Sequence, residues 1–123
     1  MIRLLLVDDQ PAVRRGLEMR LLLEPDLLVV GEASNGKEAL TLGQILSPDV
    51  VLMDIEMPEM DGITATAALH TAVPQTAVIM LSIHDDVMTR ARAQSAGAVA
   101  FVEKRGTTEI LLAAIRRAAQ QTT

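Results

Sequence analysis

The chain has no cysteine, no tryptophan, no tyrosine and a single phenylalanine, Phe101. Without cysteine there is neither a disulfide framework nor a Cys-based zinc site, which agrees with the cytoplasmic location expected for it. One aromatic ring is too few for a base-stacking platform. No basic block exceeds a pair such as Arg14-Arg15 or Arg116-Arg117, and the net charge is −5, so this segment is not expected to bind nucleic acid. The longest apolar run is far below membrane-spanning length, so no membrane association is expected. The start, MIRLLLVDD, is apolar too briefly and acidic too soon for a signal peptide. Repeats and low-complexity tracts are also missing, and only the polar tail Gln120 to Thr123 reads as the start of a linker. Half of the 123 residues are apolar, so residues 1–123 read as one domain whose core needs no staples.

What is present is an alternation. Short runs rich in Val, Ile and Leu occur at roughly 2–7, 27–33, 49–53, 77–82 and 98–102. Stretches of helical period lie between them. Val13, Leu17 and Leu21 form the first stripe, with Pro11 suited to its first turn and Arg14, Arg15, Glu18 and Arg20 outside. Ala39, Leu42, Gly43 and Leu46 form the second, after the capping candidates Ser34 and Asn35. A third, short helix is expected from about Asp61 to Thr71. A fourth should start at Asp85 or Asp86 and stop before Gly97, and a fifth carries Leu111, Ala114, Ile115 and Ala118 behind Thr107 or Thr108. Strands without polar alternation, separated by helices, imply a parallel sheet covered on both faces. The expected fold is therefore α/β: a single doubly wound, five-stranded parallel sheet of flavodoxin-like (βα)5 type, strand order 2-1-3-4-5. Ligands of such sheets bind at the carboxyl ends of the strands, where the strand order reverses.

Five polar residues sit where an apolar run stops. Asp8 and Asp9 end the first, Asp54 the third, Ser82 the fourth, and Lys104 follows the last after Glu103. Each has an ordinary explanation alone: a solvated acid pair, a loop acid, a helix cap, a surface lysine. Their joint placement at strand ends points to a carboxylate pocket with one cation of its own and room for another. Such a pocket suits a divalent metal and a phosphoryl group. His70 and His84 show no metal-ligand spacing.

The motifs VDD at Val7 to Asp9, MDIEMPEMDG at Met53 to Gly62, Ser82, and FVEK at Phe101 to Lys104 resemble the receiver domain of a two-component response regulator. The resemblance runs from end to end. It implies that Asp54 accepts a phosphoryl group from a sensor histidine kinase, that Asp9, Asp54 and the Glu56 carbonyl bind Mg²⁺ directly, and that Asp8 acts mostly through metal-bound water. Lys104 would pair with phosphoryl oxygens, Ser82 would hydrogen-bond one of them, and Phe101 would take the aromatic switch position. A receiver catalyses its own aspartyl phosphorylation and slow dephosphorylation, and so borders on being an enzyme. Glu56 and His84 occupy positions that tune phosphoryl lifetime in the family. Ile83 is bulky where small residues are frequent, and Arg105 stands where many receivers have proline.

MLSIHDD and SAGAVAFVEK resemble most the subgroup with a LuxR-type helix-turn-helix output. The implied output is transcription, with DNA contacted only through an output domain that this chain does not contain, and with homodimerisation on phosphorylation as a further expectation. Two alternatives remain at this point: a phosphorylation-independent pseudo-receiver that only binds a partner, and an acid-cluster phosphohydrolase. The intact acid set, Ser82 and Lys104 weigh against the first. The short chain, and a Glu two residues after Asp54 where a second Asp is typical, weigh against the second.

Overall fold

The computed structural model of the chain describes residues 1–83 and 85–121. Strands β1 (Ile2–Val7), β2 (Leu27–Ala33), β3 (Val50–Asp54), β4 (Ala77–Ser82) and β5 (Ala100–Glu103) alternate with helices α1 (Pro11–Leu22), α2 (Gly36–Leu46), α3 (Gly62–Ala72), α4 (Val87–Ala96) and α5 (Thr108–Gln121). The strands form one parallel sheet in the order β2-β1-β3-β4-β5. The expected doubly wound fold is therefore the observed one.

The uniformly apolar strands follow from the two layers. Leu4, Leu6, Leu52, Ile79 and Leu81 point to one face, where Leu17 and Leu21 of α1 and Leu111 and Ile115 of α5 cover them. Leu5, Val7, Val51, Met53, Val78 and Met80 point to the other, under Ala39 of α2, Ala65 and Leu69 of α3, and Ala93 of α4. A strand buried on both sides has no solvent face on which to place polar residues. The order reverses between β1 and β3, so the carboxyl ends of these strands flank a crevice.

Local chemistry chooses among the capping candidates. Asn35 caps α2 by accepting from the Glu38 amide at 2.9 Å, while the Ser34 hydroxyl donates to the Glu38 carboxylate. Asp61 and Asp86 cap α3 and α4 in the same way. Thr107 accepts from the Ile110 amide at 3.3 Å, so the fifth cap is Thr107. Gly97, at φ 110°, ends α4 in the left-handed region that favours glycine.

Three expectations need correction. The third run extends through Asp54, whose backbone still pairs with β4 opposite Leu81, so the ladder outlasts the apolar side chains by one residue. The fifth strand starts at Ala100 because Ala98 is spent on the end of α4, its amide donating to the Ala93 carbonyl. Gln120 and Gln121 close α5 rather than opening a linker, while Thr122 and Thr123 lie outside the described residues.

Candidate phosphoryl-binding site

The β-strands deliver the five polar residues to one edge. Asp8 follows β1 directly, its amide held by the Ala33 carbonyl of β2. Asp54 and Ser82 are the last residues of β3 and β4, and the Lys104 amide donates to the Ser82 carbonyl at 2.9 Å. Carboxylate oxygens of Asp8, Asp9 and Asp54 lie within 4.8 Å of one another. Lys104 Nζ sits 2.6 Å from Asp8 Oδ2 and 3.1 Å from Asp54 Oδ1. The site's own cation thus bridges two of the three acids.

Asp8 is 1% exposed, Ser82 4% and Asp54 6%, whereas Asp9 reaches the opening. Asp9, Asp54, Ser82 and Lys104 line a cavity of about 220 Å³ together with Gln10, Ile55, Glu56 and Ile83. It adjoins a wider groove of about 660 Å³ walled by Met57, Pro58 and Ile63 and bordered by Asp86, Thr89 and Arg92. Ile83 is half exposed at the cavity wall. His84, expected to tune phosphoryl lifetime, lies outside the described residues.

The electrostatics are those of crowded acids. Burial pushes the Asp54 carboxyl up to about 6, the charge of Asp8 adds to the rise, and Lys104 opposes it. At neutral pH the group is still mostly ionised. Partial burial works against the charge on Lys104, but its ion pairs with Asp8 and Asp54 more than compensate and hold the ammonium above its ordinary range. Asp8 Oδ1 accepts from the Gln10 amide at 2.9 Å, whereas buried Oδ2 has no well-aligned hydrogen-bond donor. The 2.6 Å approach of Lys104 to that oxygen is an ion pair without hydrogen-bond alignment. An all-oxygen donor set with an under-satisfied buried carboxylate oxygen fits a hard divalent cation.

Among the residues that support the site, Arg14 carries no signal in the motifs, whereas Gly62 and Phe101 lie within them. Arg14, expected on the outer face of α1, turns back to donate to the Asp8 carbonyl while paired with Glu32 of β2 at 3.2 Å. It fixes the turn that carries both acids. Gly62 donates to the Ile55 carbonyl, and a Cβ added there would lie 2.0 Å from the Asp54 carbonyl oxygen. The glycine at the end of MDIEMPEMDG is thus required by close approach to the backbone of Asp54. Phe101 is partly buried against the α3/α4 layer and borders the cleft between α4 and β5.

Comparison with known proteins agrees with this geometry. The family profile described as response regulator receiver domain matches residues 4–116. The transcriptional regulatory protein LiaR of Bacillus subtilis is 40% identical over 120 residues, covering 98% of this chain and 57% of LiaR. A protein-glutamate methylesterase/protein-glutamine glutaminase of Methanospirillum hungatei is 42% identical over 106 residues, covering 85% of this chain and 30% of that protein. The signal receiver domain of the response regulator NarL from Mycobacterium tuberculosis superposes with a TM-score of 0.91 at 36% identity, covering 97% and 96% of the two chains. The chain therefore spans about half the length of the transcriptional relatives it matches and less than a third of the methylesterase.

Proposed function

The chain belongs to the response regulator receiver family of two-component systems, and on that premise we propose that it is a signalling switch in which Asp54 accepts a phosphoryl group from a sensor histidine kinase. The observation that carries this reading is the bridging of Asp8 and Asp54 by Lys104 beside a third carboxylate. Carboxylates are covalent nucleophiles for phosphoryl groups. The Asp54 oxygen attacks phosphorus, the donor nitrogen–phosphorus bond breaks, and the leaving imidazole takes a proton. Phosphoryl transfer asks for positioning and charge neutralisation more than for acid-base chemistry. Lys104, 3.1 Å from Asp54 Oδ1, would pair with the incoming phosphoryl oxygens as a point charge. Ser82 lines the same cavity, and its hydroxyl would donate to one of them once they arrive.

Asp9 and Asp54 would hold Mg²⁺ directly with the Glu56 carbonyl, and Asp8 through water; the ion would supply charge neutralisation at the phosphoryl oxygens. Residues 1–123 form the receiver unit of this reading. Its output is transcriptional, through a LuxR-type domain outside this chain, in keeping with regulators such as LiaR, with phosphorylation promoting a homodimer. No described helix is long and apolar enough to cross a membrane.

Asp54→Asn keeps the shape and removes the nucleophile, so it should abolish phosphorylation by acetyl phosphate with Mg²⁺. A phosphate-affinity gel shift reads this directly. A shift that persists in the variant moves the acceptor elsewhere, with Asp8 and Asp9 the first suspects.

A further inference from the structure

Arg90 of α4 lies over the single aromatic ring of the chain, its guanidinium carbon 4.8 Å from the centre of Phe101. The residue is not a loose surface arginine. It is paired with Asp85 in the connection between β4 and α4. Glu103, two residues beyond Phe101 on β5, adds a second negative charge within reach. The hydrogen bond to Asp85, ahead of the charges of Asp85 and Glu103, raises the guanidinium above its ordinary value. Arg90 and Phe101 together border the cleft between α4 and β5, where Ala93 and Val99 complete the walls. Two acids and a ring face therefore hold one cation.

We propose that Arg90 is a positioning residue for the switch, holding the Phe101 ring at the α4–β5 surface in the unphosphorylated state. This rests on the reading above, in which Ser82 and Phe101 respond to phosphorylation. Phenylalanine has no hydroxyl, so no hydrogen bond can favour one ring position over another. Its balance is set by whatever touches its faces. A cation over a partly exposed ring changes such a balance by about 2–5-fold. Asp85 stands three residues after Ser82, in the segment that leaves the site. A shift of that segment toward a phosphoryl group draws Asp85, and Arg90 with it, off the ring. The route from site to surface is then Ser82, Asp85, Arg90, Phe101.

The single phenylalanine makes ring-labelled ¹³C-phenylalanine a one-residue probe. Spectra of the parent, Arg90→Met and Arg90→Lys are compared with and without Mg²⁺ and beryllofluoride, which stands in for the phosphoryl group. Beryllofluoride should move the parent signal. Arg90→Met keeps an apolar stem without the cation, so it should bind beryllofluoride about 2–5-fold more tightly. Its metal-free signal should lie part-way to the liganded position. Arg90→Lys keeps the charge and should stay nearer the parent in both readouts. If the parent signal moves but Arg90→Met binds beryllofluoride as the parent does, the latch is wrong, whatever the variant does to melting temperature. If the parent signal does not move on beryllofluoride binding, the coupling beneath the proposal fails instead. If beryllofluoride does not bind the parent at all, the switch reading fails.

Discussion

Asp54→Ala should make the metal-free protein more stable at neutral pH, although it deletes a buried side chain. The Asp54 carboxyl rises from 3.8 to about 6 in the folded protein, chiefly through burial and the charge of Asp8. A group raised on folding stabilises the native state only while it is protonated. That contribution is present in full below pH 3.8 and is lost as pH rises to about 6. At 1.36 kcal/mol per unit, the parent at pH 7.5 carries a penalty of about 3 kcal/mol. The alanine variant escapes it and loses about 1 kcal/mol of packing. The net gain is about 2 kcal/mol, or about 8 °C in melting temperature for a domain of this size. Below pH 4 the variant should instead melt slightly lower than the parent. Mg²⁺ at ten times its dissociation constant should return about 1.4 kcal/mol to the parent and less to the variant, which lacks a ligand. Far-UV circular dichroism in EDTA and in Mg²⁺, at pH 4 and 7.5, is the assay, because one phenylalanine absorbs too weakly. A gap between variant and parent that is the same at both pH values refutes the reasoning. So does equal stabilisation of the two proteins by Mg²⁺.

Lys104→Ala strands two buried carboxylates, so in EDTA it should cost about 2–3 kcal/mol, the low side for a broken buried pair because Lys104 keeps some solvent contact. Mg²⁺ should restore more to it than to the parent, since a competing cation is gone, yet signalling should be impaired; a variant that switches normally removes Lys104 from the mechanism. Gly62→Ala forces a methyl against the Asp54 carbonyl oxygen at a starting separation of 2.0 Å. It should cost about 1–3 kcal/mol in thermal melts and slow phosphorylation by displacing the nucleophile, and an unchanged phosphorylation rate would show that the backbone yields without moving Asp54.

The sheet was legible because its information is local. Each strand is an apolar run, each helix a stripe with a cap, and both-face burial explains why the runs lack polar alternation. Boundaries slipped where a residue serves the backbone rather than the core. Asp54 stays in the ladder because its peptide groups pair regardless of its side chain. Ala98 is lost to the end of α4 because Gly97 turns the chain before the strand begins. The start of α4 was open between Asp85 and Asp86 because both can accept from a helix amide. Asp86 takes the cap, accepting from the Thr89 amide, while Asp85 pairs with Arg90.

The site was legible to a different depth. That five residues would meet follows from parallel strands ending at one edge, and strand ends can be read in sequence. Which side chains then touch depends on long reach across the sheet. Lys104 is closer to Asp8 than to Asp54, and Arg14 turns inward to the Asp8 carbonyl; neither is encoded in spacing. These contacts change what the pocket is. Were Lys104 set on Asp54 alone, Asp8 and Asp9 would face each other without compensation. Bridging Asp8 and Asp54, it spreads one positive charge over the two most buried acids and leaves Asp9 at the opening. Three carboxylates against one ammonium leave two uncompensated negative charges at neutral pH, the complement of one divalent cation. Once that charge is balanced, the phosphorylation of Asp54 proposed above would exchange a carboxylate for a phosphoryl group of about one further negative charge. Lys104 and the Ser82 hydroxyl would answer that increment from the β4–β5 side of the cavity, the side from which Asp85 and Phe101 lead to the surface, so on this reading the rearrangement would start there.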